Sequence, residues 1–178
     1  MTPLRMNILG RCVGAAALPL LASASTLATD VVLPYSKPGL WSMSQMDEKD
    51  TAPIVTQLCI DKLTQKYLVD AGNSILKSNC SKYEVSAKGA TVTSTSVCKF
   101  GGSTVNSSTV LTFAGDSAFN GQITSHFSPS FMGTTDSHIS QTGQWTGACP
   151  AGMAPGDMIG PHGIKLHMGP NGPVPVKR

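Results

Sequence analysis

Along the second half of the chain, apolar and polar side chains alternate. In AFNGQITSHF (118–127), Phe119, Ile123 and Phe127 fall on one face; Asn120, Gln122, Thr124 and His126 fall on the other. DSHISQTGQWTGAC (136–149) repeats the pattern with Ile139 and Trp145 inward, and CSKYEVSA (80–87) with Tyr83 and Val85. A period of two marks strands with one dry and one wet face. ATVTSTSVCKF (90–100) and STVNSSTVLTF (103–113) are rich in Ser and Thr, and the β-branched Thr suits a strand whose outer face meets water. Lys88-Gly89, Gly101-Gly102 and AGDS (114–117) punctuate these runs as tight turns. Upstream, SKPGLWSMSQM (36–46) and IVTQLCI (54–60) read as two further strands around the charged turn DEKDTAP (47–53). The prediction is a mainly β fold: an antiparallel meander of about seven strands forming a twisted sheet or small barrel.

The period changes twice. In DKLTQKYLVDAG (61–72), Leu63, Tyr67 and Ala71 stand four apart, which predicts one short helix. Asp61 is placed to accept from its free backbone N–H groups, and Gly72 to end it. After Pro150, AGMAPGDMIGPHGIKLHMGPNGPVPVKR shows neither period and is dense in Gly and Pro. Such a composition predicts a disordered tail over 151–178, dispensable for a β domain spanning 36–150.

The opening stretch carries Arg5 and Arg11, an apolar run from Cys12 to Leu21 and the small residues Ala22-Ser23-Ala24. That order predicts a secretory signal peptide over 1–28, removed between about Ala24 and Asp30 and taking Cys12 with it. An exported chain then keeps four cysteines, Cys59, Cys80, Cys98 and Cys149, which in an oxidising compartment predicts two disulfides. Zinc is a poor alternative, because structural sites favour close pairs and no two of these cysteines lie closer than 18 positions. Four cysteines admit three pairings. A three-residue loop at the Lys88-Gly89 turn sets Cys80 opposite Cys98 and leaves Cys59 for Cys149; a two-residue loop shifts the register by one and breaks that match. A Cys59–Cys149 bridge would tie the last strand to the body of the domain.

Charge narrows the partners. Residues 30–150 hold eight Lys against nine Asp and Glu, with no basic stripe, so nucleic acid is not an expected partner. No apolar run beyond the signal approaches the length of a membrane span. Catalytic signals are sparse. GDSAF (115–119) lacks the second glycine of a nucleophile elbow, and no Ser or Thr has an evident base. His126 and His138 fall on polar strand faces as possible cross-strand neighbours, without a visible third metal ligand. Met153, Met158, His162, His167 and Met168 in the tail are of types that suit Cu(I), but their spacing builds no preorganised site. Neither a catalytic set nor a cofactor is expected from these residues.

Two motifs bracket the domain: KPGLW (37–41) and GQWTGAC (143–149). With the order of the four cysteines, they resemble the bacterial exported family known as domain of unknown function 3617. The resemblance spans about residues 36–150 and rests on Lys37, Pro38, Gly39, Leu40, Trp41, Cys59, Cys80, Cys98, Gly147 and Cys149. The Met- and His-bearing tail departs from that pattern, as does Ser42, where an acidic or other polar residue commonly follows the Trp. The resemblance implies a periplasmic or secreted β domain and no particular reaction. The reading is a non-enzymatic envelope protein that binds an apolar ligand or another envelope protein. The alternative is a hydrolase or copper-binding periplasmic protein.

Overall fold

The computed structural model describes residues 36–176; the proposed signal peptide and Cys12 lie outside the described residues. Ten strands and one helix follow in the order β1 (Gly39–Asp47), β2 (Ile54–Ile60), α1 (Lys62–Asn79), β3 (Cys80–Lys88), β4 (Thr91–Phe100), β5 (Ser103–Ala114), β6 (Ala118–Phe131), β7 (Thr134–Gly147), β8 (Asp157–Ile159), β9 (Lys165–Gly169) and β10 (Gly172–Pro175). All pair antiparallel in one sheet, ordered β10-β9-β8-β2-β1-β7-β6-β5-β4-β3. The sheet does not close, so of the two expected forms the chain takes the open one.

β1 to β7 match the seven expected strands, and their alternation sets the two faces. Trp41, Met43, Leu58, Phe119 and Trp145 share the inner face, where Ile60, Met158 and Leu68 of α1 complete the core. The helix bridges the curl of the sheet, touching β3 and β4 at one end and β2, β9 and β10 at the other. Asp61 caps it as expected, its Oδ1 accepting from the Thr64 amide at 2.7 Å, and these hydrogen bonds hold the Asp61 carboxyl below its ordinary range.

The helix is longer than its period suggests, with 18 residues running through Gly72. Gly72 has a negative φ and open space around it, so nothing local stops the helix there. Its inward residues also differ. Thr64 is buried and Leu68 reaches the core, while Leu63 is 54 % exposed.

Beyond Pro150 the chain is not a structureless tail. β8 pairs with β2, β9 with β8 and β10 with β9. Each strand is too short, at three to five residues, for alternation to be legible. Glycines supply the turn geometry, at Gly156 (φ +97°) before β8, Gly163 (φ +73°) between β8 and β9, and Gly172 (φ +96°) at the start of β10. Met158 packs on the core and Met168 is 6 % exposed, so the segment gains apolar burial where its composition predicted none.

Candidate functional site

The cysteines settle first. Cys59 pairs with Cys149 and Cys80 with Cys98, with Cα–Cα distances of 5.7 and 3.8 Å. The second pair arises by a route the turn alone does not show. Lys88 faces Thr91, so the loop holds only Gly89 and Ala90. Gly89 has φ +59° and Ala90 has no positive φ, which fits a two-residue type II′ turn. That register would miss Cys98 by one. A bulge at Ser81 adds one residue to β3 and brings Cys80 opposite Cys98. Cys149 lies just past the end of β7, not within it, and ties that end to the buried Cys59 on β2.

On the outer face, β3 to β7 align polar side chains in rows. One row reads Lys82, Val97, Asn106, His126, Asp136; the next reads Glu84, Thr95, Ser108, Thr124, His138. Together they form an open groove of about 350 Å³ whose lining residues, Val97 apart, carry hydroxyl, amide, imidazole or charged ends on hydrocarbon stems. His126 faces Asp136 directly, and its Nδ1 donates to Asp136 Oδ1 at 2.8 Å. His138 sits diagonally from His126, across from Thr124, so the two histidines are not direct cross-strand partners. Lys82 pairs with Glu84 at 3.3 Å on the groove's β3 wall. The Asp–His pair is the element that sequence reasoning missed. Its only signal is a separation of ten residues around a hairpin whose register was unknown.

The bracketing motifs form a clasp between β1 and β7. Trp41 and Trp145 are partners across β1 and β7. Trp41 Nε1 donates to the Lys37 carbonyl at 2.8 Å, and Trp145 Nε1 to the Pro38 carbonyl at 2.9 Å. The Lys37 ammonium lies 3.8 Å from the centroid of the Trp145 ring, a cation–π contact. Gly39, at φ +134°, leaves no room for a Cβ, which would stand 2.2 Å from the Gly147 carbonyl oxygen and 2.5 Å from Trp145 Nε1. The Lys37 ammonium, the bare Cα of Gly39 and the two indoles thus interlock in one seam, to which Lys37 and Pro38 also give their backbone carbonyls.

The family described as protein of unknown function (DUF3617) matches residues 36–149, from just before this clasp to the last cysteine. The chain belongs to that family. No curated protein and no solved structure matches it. The DUF3617 match ends at Cys149, before β8 begins at Asp157, so β8 to β10 lie outside the matched region.

The Met and His of that added segment do not converge as a ligand set. Register puts Met158 opposite Leu166, and His167 opposite Asp157. Alternation therefore sends the Met158 and Met168 side chains to the inner face and that of His167 to the outer one. Met153 lies in the turn after Cys149, and His162 in the 3-10 turn Pro161–Gly163. His167 Nδ1 donates to Asp157 Oδ1 at 2.8 Å; this bond, then the Ala154 amide, keeps the Asp157 carboxyl below its ordinary range. Among the described residues, no three of His, Cys, Asp and Glu gather as a metal-holding group.

Proposed function

We propose that this DUF3617 member is exported to the periplasm or secreted, and acts there as a non-enzymatic binding domain. Its ligand is polar and hydroxyl-rich, such as a glycan fragment of the cell envelope, and lies in the outer groove. The observation that carries this reading is the lining of that groove. Asn106, Ser108, Thr124 and His138 offer donors and acceptors side by side, with Lys82 at one wall. Such a surface suits a ligand with many hydroxyls on a carbon frame, which meets the donors and acceptors with its polar groups and the hydrocarbon stems between them with its apolar face; it differs in kind from the apolar ligand or envelope protein expected from sequence. Two disulfides support export, since such bridges persist in oxidising compartments. No described helix is long and apolar enough to cross a membrane.

Thermal melts with peptidoglycan fragments, lipids and copper in parallel test the proposal. Peptidoglycan fragments should raise the Tm. At a hundredfold excess over Kd the gain is about 2.7 kcal/mol, or roughly 5–11 °C. The variant N106A/H126A should lose that rise while melting normally when free. A rise with lipid alone would replace the groove by the inner apolar face. A second reading has one observation in its favour. Asp136 orients His126 as a base is oriented in hydrolases, though the described hydrogen bonds of His126 include no hydroxyl. Hydrolysis of an envelope substrate that vanishes in both H126A and D136N would establish that reading instead.

A further inference from the structure

The two edges of the sheet are built differently. β10 carries Pro173 and Pro175, which lack donors and resist a further strand. β3, at the other edge, is nine residues long without proline, and most of its residues are exposed. The Cys80–Cys98 bridge pins its start to β4. The Gly89-Ala90 turn closes on the Lys88–Thr91 pair, so Lys88, Ser86 and Glu84 direct their backbone groups to β4. Tyr83, Val85 and Ala87 direct theirs outward, and among the described residues no strand lies outside them.

We infer that β3 pairs antiparallel with β3 of a second copy of this chain, about a two-fold axis at Ser86. In that register Glu84 faces Lys88 of the second copy, twice by symmetry, and Val85 faces Ala87. The outward backbone groups of Val85 and Ala87 meet as hydrogen-bonded pairs. Side chains keep their faces only in steps of two, so the competing registers are few. One sets Lys82 against Lys88, and another sets Glu84 against itself; both oppose like charges. The register that sets Lys82 against Glu84 runs into the bulge at Ser81 and the helix end at Asn79. The favoured register joins two sheets edge to edge, with one groove in each copy.

Sedimentation velocity of the purified protein over a concentration series tests this. A concentration-dependent dimer is expected. K88E sets Glu against Glu84 and should weaken the dimer on the order of tenfold, while the exchange E84K/K88E should restore it. S86C should cross-link two copies on oxidation, because a non-hydrogen-bonded antiparallel pair has Cα atoms about 4.5 Å apart, within disulfide reach. Melting temperatures check that the variants remain folded. A wild-type protein that stays monomeric to millimolar concentration overturns the inference, and the charges on β3 then serve to repel other strands. So does a dimer that K88E leaves unchanged, or a folded S86C protein that oxidises without forming a dimer.

Discussion

Replacing Gly39 by Ala isolates the clasp, and Gly72→Ala is its control. At Gly39 the backbone sits at φ +134°, a region that side chains avoid, which costs on the order of 1–3 kcal/mol. The added methyl also meets the Gly147 carbonyl oxygen at 2.2 Å and Trp145 Nε1 at 2.5 Å, so the β1–β7 seam has to part. Parting it forfeits the Trp145–Pro38 hydrogen bond, about 1 kcal/mol, and the Lys37–Trp145 contact, roughly 0.5–1 kcal/mol. The expected loss is about 3–5 kcal/mol, a fall of roughly 6–20 °C in Tm for a domain of this size. At Gly72 the helix has ordinary φ and open space, and the same substitution should stabilise by about 0.5–1 kcal/mol. Calorimetry of the two variants beside the parent decides the matter. A Gly39→Ala protein melting within 2 °C of the parent, by the same scale, would refute the clasp. If Gly72→Ala falls as far, the glycine effect is not local to the seam.

Three further outcomes follow from the same geometry. A chain ending at Pro150 loses the full burial of Met168 and the partial burial of Met158, and should lose about 2–4 kcal/mol of stability, read as a lower Tm in scanning calorimetry; an unchanged Tm would return 151–178 to a mere tail. C59S/C149S opens a bridge of sequence separation 90 and should cost about 4–5 kcal/mol on loop entropy, against about 3 kcal/mol for C80S/C98S with its separation of 18, as read by denaturant melts. Asp157, held chiefly by His167, has its folded pKa below the ordinary 3.8, so its stabilisation is full above that value and fades as pH falls through the folded one. Acid melts of D157N should therefore fall less steeply than those of the parent below about pH 4, and parallel curves would remove Asp157 from the account.

Much of this fold is legible in local pattern. Alternation around Ile123 and Ile139 reports β6 and β7 because a strand with one wet face must repeat every second residue. Asp61 announces the start of α1 because a capping carboxylate acts within three residues of itself. The four cysteines and the KPGLW and GQWTGAC motifs mark the family, whose match covers the same stretch. What spans long separations was decided only in three dimensions. The Ser81 bulge, invisible in composition, corrects the register that a two-residue turn imposes. The His126–Asp136 pair exists because β6 and β7 align at that one register, and a slip of one between them would leave the two side chains on opposite faces. β8 to β10 carry too few residues each to display a period, and they form because β2 offers an unpaired edge and Leu58 an apolar surface for Met158. The period of a strand is a property of neighbouring residues, whereas an edge or an apolar surface exists only once distant parts of the chain have met.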